Sequence, residues 1–164
     1  RHGDPTPEKV IAAINGMGDI KKFKEVVFCG FGEPTCAFDR MLEVAGWLKA
    51  RGVHTRVNTN GQANLINGIT DAAERMAPVI DSVSVSLNAS TAAKYQESCH
   101  SRFGEEGYTA MLDFVRDCVR EGIDTTVSVV DLIGEREVEA CGKVAESLGA
   151  KYRVRPAIEE NDEY

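Results

Sequence analysis

Residues 26–38 read VVFCGFGEPTCAF. The first four, Val26 to Cys29, form an apolar, β-branched run bounded by glycine, the pattern of a buried strand. The strand then breaks into Gly30-Phe31-Gly32-Glu33-Pro34, with a carboxylate held between a glycine and a proline. Gly30 and Gly32 allow the backbone to approach a ligand closely. Pro34 stiffens the exit and biases Glu33 toward extended backbone. A fixed carboxylate beside exposed carbonyls suits a cationic amine. The same residues also suit a tight strand-to-helix turn carrying a solvated Glu.

Working outward, apolar runs alternate with helical patterns. Thr6-Pro7-Glu8 opens a helix, with Thr6 as cap and Pro7 in the first helical position. Strands are expected over Glu25 to Gly30, His54 to Gly61, Asp81 to Ala89, within Ile123 to Ile133, and over Lys151 to Pro156. Helices are expected over Phe38 to Arg51, Thr70 to Met76, Thr91 to Tyr95, Gly107 to Glu121 and Glu135 to Leu148. In the first long helix Met41, Leu42, Ala45 and Leu48 face inward. Strands separated by helical crossovers pair in parallel. The fold class is therefore α/β with five parallel strands. Periodicity leaves open whether they form a doubly wound sheet or part of a barrel.

The chain has 164 residues, 43% hydrophobic and 27% charged, enough for one domain with a core. A net charge of −7 argues against non-specific binding to nucleic acid or anionic membranes. No apolar window approaches the roughly 18 residues of a membrane span, and no signal peptide is visible. The expected location is the cytoplasm. The five cysteines, Cys29, Cys36, Cys99, Cys118 and Cys141, have no zinc-type spacing and read as reduced, mostly buried thiols. Residues 1–157 read as one core and residues 158–164 as an acidic tail.

In either architecture the working residues lie just past the C-terminal strand ends. Those ends read GFGEPT, NTNG, SLNAS, DLIGERE and RVRP. None carries the pieces of a Ser-His-Asp or Cys-His hydrolase, and no Gly-x-Gly-x-x-Gly or P-loop opens a helix. Asn-Gly is also a common turn dipeptide, so Asn58 to Gly61 have a purely local reading too. Arg153 and Arg155 suit an anionic group of a substrate or of a cofactor, or pairing with Glu159 or Glu160.

Taken in order, these strand ends resemble the radical S-adenosylmethionine (radical SAM) superfamily. Gly32-Glu33-Pro34 looks like its Gly-Gly-Glu-Pro motif, with Phe31 where the first glycine usually sits. Thr59-Asn60-Gly61 looks like its Thr-Asn-Gly element, and Ser84 to Ala89 like its Ser-x-Asp strand end, with Asn88 in place of the acid. The wording FCGFGEPT, RVNTNGQANL and SVSLNA is similar to the TatD-linked group of that superfamily.

The resemblance implies a partial barrel of six β/α units. It also implies S-adenosylmethionine lying across the strand ends and chelating a [4Fe–4S] cluster, with reductive cleavage to a 5′-deoxyadenosyl radical that abstracts hydrogen. Carried over by position, the turn Gly30, Phe31, Gly32, Glu33, Pro34 meets the methionine amine. Thr59 and Asn60, with Ser86 and Asn88, lie near the methionine and ribose, and strand four, around Val130, passes the adenine.

The family holds its cluster through Cys-x3-Cys-x2-Cys, and this chain contains no such run. No metal ligand is therefore assigned. The chain begins at Arg1 rather than Met and reads as a radical SAM domain without its first strand and cluster loop. As such it is expected to be inactive and to dimerise through the exposed VVFC edge. The other readings are a small-ligand or protein-binding α/β module, and a divergent domain that kept the fold for interaction alone.

Overall fold

The computed structural model describes residues 5–29 and 32–157. The acidic tail, the chain start, Gly30 and Phe31 lie outside the described residues. Five strands form one parallel sheet: β1 (Glu25–Phe28), β2 (His54–Thr59), β3 (Ser82–Ser86), β4 (Asp124–Val130) and β5 (Lys151–Arg155). Seven α-helices intervene: α1 (Pro7–Gly16), α2 (Phe38–Lys49), α3 (Ala63–Asn67), α4 (Ala72–Met76), α5 (Ala92–Cys99), α6 (Glu105–Arg120) and α7 (Glu135–Leu148).

The strands lie side by side in chain order, β1-β2-β3-β4-β5. A doubly wound sheet reverses its strand order partway and sends helices to both faces. Strands that advance one place at a time, with same-handed crossovers, keep all helices on one face. The structure thus settles the choice that periodicity left open, in favour of a partial barrel. The core follows. Val57, Val83, Val85, Leu87, Val127 and Val129 point to the helix side and pack with Met111, Phe114 and Val115 of α6. A smaller cluster of Val44, Leu48 and Val53 gathers α1, α2 and β1.

Local signals account for the boundaries. The Thr6 hydroxyl accepts from Lys9 N at 3.3 Å and caps α1. Gly149, with φ +73°, ends α7 in the left-handed conformation that suits glycine. Several boundaries differ from the sequence reading. β1, β2 and β3 end at Phe28, Thr59 and Ser86, because the following residues leave the sheet to build the strand-end loops. α5 runs on to Cys99, α6 starts at Glu105, and α3 was not foreseen. In α2, Val44 is buried while Leu42 is only half-buried. Of the cysteines only Cys118 and Cys141 are buried, so the expectation of mostly buried thiols is corrected; all five are free.

The N-terminal strand ends are tied by charge. Asp81 accepts from Thr55 N at 2.8 Å and pairs with Lys49. The Lys49 and Thr55 hydrogen bonds hold its carboxyl below the usual range, against the opposing effect of burial. His54 sits here too, 2.7 Å from Ser82 Oγ and 3.4 Å from Glu25, which gives it a structural place at the far end from the strand C-termini.

Candidate functional site

The strand C-termini are joined by Glu33. Its side chain caps a 3-10 turn, Pro34–Ala37, with Oε1 accepting from Thr35 N at 3.3 Å and from Thr35 Oγ1 at 2.8 Å. The same Oε1 accepts from the Thr59 hydroxyl, and Oε2 accepts from Asn60 N at 2.8 Å. One carboxylate therefore brackets the loop after β1 to the end of β2. Hydrogen bonds to a carboxylate are among the stronger neutral-partner bonds. The sequence reading of Glu33 as a carboxylate open to an amine is refined accordingly: both its oxygens are engaged by the protein.

The Thr59-Asn60-Gly61 turn is wired from within. Thr59 Oγ1 accepts from Gly61 N at 3.1 Å, and Asn60 Oδ1 accepts from Gln62 N at 2.9 Å. The local turn reading of this segment was thus correct as far as it went. Gly61 is required here on two counts. Its φ is +79°, and a Cβ would lie 2.7 Å from Met111 Cγ and 3.0 Å from Val85 Cγ1.

A cleft of about 400 Å³ opens over these ends. Glu33, Asn60 and Asn88 line it from three strand ends, and Cys36, Arg102 and Phe103 flank it. Asn88 leaves β3 with φ +64°, a conformation Asn tolerates, and its Nδ2 donates to Cys99 Sγ at 3.4 Å. The floor is a hydrogen-bonded set that the sequence reading missed. Buried Gln62 donates from Nε2 to the Tyr95 hydroxyl at 2.8 Å and accepts from Ser101 Oγ at 3.1 Å. Burial above all keeps the Tyr95 phenol protonated beyond its ordinary range. Gly107 makes room for this set, since a Cβ there would meet Ser101 Oγ at 2.6 Å. Gln62 directly follows Asn-Gly, and that adjacency was the one available signal; Tyr95 and Ser101 are 33 and 39 residues away from it.

A second missed residue is Glu137 on α7. It accepts from Ser90 N at 2.7 Å and from Lys94 Nζ at 2.9 Å, fixing the loop after β3. These bonds hold its carboxyl below the ordinary range.

The expected site residues divide as follows. Glu33, Asn60 and Asn88 come together in the cleft, with Thr59 buried beneath them. Pro34 lines a separate apolar cavity beside α1 and α2. Ser86 faces the other side of the sheet, in a polar cavity. Val130 closes β4, and residues 131–133 form a 3-10 turn instead of continuing the strand. Gly32 is exposed at the lip, while Gly30 and Phe31 fall outside the described residues. No group of three or more His, Cys, Asp or Glu side chains that would hold a metal ion occurs among the described residues.

A family model described as the radical SAM superfamily matches residues 1–144. No curated protein matches the chain. Among solved structures, a domain of pyruvate-formate lyase-activating enzyme from Bacteroides vulgatus is similar, with TM-score 0.56 and 13% identity over 79% of this chain and 98% of that one. Streptococcus suis SuiB bound to S-adenosylmethionine is similar with TM-score 0.68 and 17% identity, over 98% of this chain. The chain spans 35% of that SuiB chain, and at such identity the likeness shows the fold. No helix among the described residues is long and apolar enough to cross a membrane.

Proposed function

Because the chain belongs to the radical SAM superfamily, we propose that it forms the S-adenosylmethionine-binding part of a radical SAM enzyme, most akin to the TatD-linked group. The observation that carries this reading is the strand-end cleft, where Glu33, Asn60 and Asn88 converge over a buried polar floor. Its volume of about 400 Å³ falls in the ordinary range for a small-molecule site, roughly 300–1,000 Å³. S-adenosylmethionine carries a sulfonium and an ammonium. Glu33 is the one acidic side chain lining the cleft among the described residues, and Arg102, on the same lining, suits the carboxylate of the methionine end.

The roles follow from position. The segment from Gly32 to Pro34 meets the methionine end, with Glu33 holding it against Thr59 and Asn60; Gly30 and Phe31, assigned to the same end by the resemblance, lie outside the described residues. Asn60 and Asn88 supply side-chain amides to the methionine and ribose, and Ser86, on the other face of the sheet, and Val130, at the end of β4, approach the ribose and the adenine from outside that cleft. When bound and reductively cleaved, S-adenosylmethionine supplies a carbon radical that takes hydrogen from a substrate.

The described residues do not fit a [4Fe–4S] cluster, which needs thiolates at close spacing. No cleavage step is derived for them. On this reading the cluster ligands belong to a Cys-x3-Cys-x2-Cys loop that is not part of this sequence, so that these 164 residues alone bind the cofactor and leave it intact. β1 has no strand partner on its other edge among the described residues, and that edge is the proposed site of self-association.

Equilibrium dialysis with labelled S-adenosylmethionine tests the reading. The chain is expected to bind it, Asn60→Ala and Glu33→Ala to weaken binding about tenfold, and neither form to release 5′-deoxyadenosine under dithionite. A longer chain carrying the upstream segment, reconstituted anaerobically, is expected to release it. A folded chain that binds no S-adenosylmethionine in either form overturns the proposal. Sedimentation that does not change with concentration removes the dimer.

A further inference from the structure

The sheet face opposite the helices holds a second cavity, of about 320 Å³, and its chemistry differs from that of the cleft. Three guanidinium side chains line it, Arg56 from β2 and Arg153 and Arg155 from β5, against a single carboxylate, Glu25. This excess of positive charge stands out in a chain whose net charge is −7. Several surface cations elsewhere are neutralised, Arg75 by Asp71, Arg116 by Asp113 and Arg120 by Asp117.

The charge is graded along the strands. Near the N-terminal ends Lys151, on β5, pairs with Asp124 at 2.9 Å. Arg56 Nε lies 3.2 Å from Glu25 Oε1, an ion pair without hydrogen-bond geometry, so that this buried donor has no hydrogen-bond partner. Its Nη1 donates to Ser84 Oγ at 3.2 Å. Further up, Arg153 and Arg155 make no hydrogen bond or ion pair with the described residues. They stand two apart on one strand, the period that places like charges side by side on one face. Such a pair repels unless an anion joins it.

Hydroxyls complete the surface. Arg153 is in register with Ser128, which is in register with Ser86. Ser84 and Thr126 form the next pair below. Serine and threonine donate to the oxygens that guanidinium groups grip, and Arg suits phosphate and carboxylate through two parallel N–H bonds. The Ser86–Ser128–Arg153 row lies one side-chain repeat, about 6.6 Å, below the row of Val130 and Arg155 at the strand ends.

We propose that this face is the chamber for an anionic substrate, whose phosphate or carboxylate is held by the Arg153–Arg155 pair with the serine row as donors. The substrate's remaining part then reaches the strand-end cleft. Calling the anion a substrate rests on the S-adenosylmethionine reading above; the anion site itself does not. A substrate without an acidic group would leave the two guanidinium groups of Arg153 and Arg155 facing an apolar or neutral molecule, with no compensating charge.

The test is titration of the 164-residue chain with inorganic phosphate, followed by calorimetry and by phosphorus NMR, without S-adenosylmethionine. Saturable binding is expected. In R153Q/R155Q the dissociation constant is expected to rise about tenfold or more, while R116Q on α6 leaves it unchanged. Both replaced residues are exposed on the edge strand, and an unchanged circular dichroism melt confirms that the variants fold; R155Q alone serves should the double variant melt early. Absence of phosphate binding, or equal loss in R116Q, overturns the site. The titration is repeated with saturating S-adenosylmethionine and with its carboxyl methyl ester. Phosphate binding unaffected by either supports a substrate anion. Displacement by S-adenosylmethionine but not by the ester assigns the arginines to the cofactor's carboxylate and overturns the substrate assignment. Should the chain bind phosphate and no S-adenosylmethionine, the anion site stands and the cofactor reading fails.

Discussion

The two faces of β3 are made of neighbouring residues and have opposite fates. Val83, Val85 and Leu87 are at most 1% exposed, packed under α6. Ser84, Ser86 and Asn88, one residue along in each case, are half-buried and polar. β4 alternates in the same way, with Val127 and Val129 against half-buried Thr126 and against Ser128, which is 7% exposed. Parallel sheets usually have both faces covered and read as continuous apolar runs. Here one face carries the stability and the other carries hydroxyls, amides and guanidinium groups. The difference teaches that the polar face is held by its partner face and is free to vary in chemistry.

The comparison breaks most visibly if the covered face is opened. Phe114→Ala removes a fully buried ring from beneath the sheet and is expected to cost about 4 kcal/mol in denaturant unfolding. A loss below about 1 kcal/mol would mean that the helix-side core is not what holds the sheet.

Alkali probes the same face. Burial pushes the Cys118 thiol and the Tyr108 phenol up to about 12 and the Cys141 thiol up to about 11. The unfolded chain loses these protons first, from ordinary values of 9.0 for the thiols and 10.0 for the phenol. The contribution of these groups is therefore fully present below about pH 8 and declines as pH rises through the unfolded values toward the folded ones. The decline expected between about pH 9 and 11 is on the order of 5 kcal/mol, and a Cys118→Ala, Cys141→Ala variant should remove most of it. Stability independent of pH in that window would contradict the burial of these groups.

At the strand ends Glu33→Ala leaves the Thr59 hydroxyl and Asn60 N without their acceptor, and about 2 kcal/mol is expected to be lost. Amide exchange at Asn60 should quicken, a local signature that a general loss of packing would not give. The smallest effect sharpens the contrast on one strand. Thr126→Ala, on the polar face, is expected to change stability by less than about 0.5 kcal/mol. Its neighbour Thr125 is 4% exposed and donates to Ile123 O at 2.8 Å, so Thr125→Ala is expected to cost about 1 kcal/mol. Equal costs at 125 and 126 would erase the distinction between the faces.

Much of this was legible. SVSVSLN and TTVSVV alternate apolar and polar residues in strands whose helical crossovers already demanded parallel pairing. Alternation in a parallel sheet means that one face is uncovered, and with that step a barrel could have been preferred to a doubly wound sheet. Glu33, Asn60 and Asn88 were singled out because each lies in a loop that leaves the end of a strand. Gln62, Tyr95 and Glu137 were not, because each earns its place through partners on other elements: Tyr95 sits inside a helix with only its hydroxyl at the site, and Glu137 reads as one more exposed acid on an amphipathic helix.

The sequence by itself determined the alternation of strands and helices, the parallel pairing that follows, and which loops carry polar side chains. Period, capping residues and turn chemistry act within a few residues and leave their mark on the chain. Only the tertiary structure decided that the strands lie in chain order, that three arginines of β2 and β5 line one cavity, and that Glu33 closes on Thr59 and Asn60. Those last contacts join residues 26 and 27 positions apart. They depend on how the sheet sets two loops side by side, a distance that no local pattern encodes.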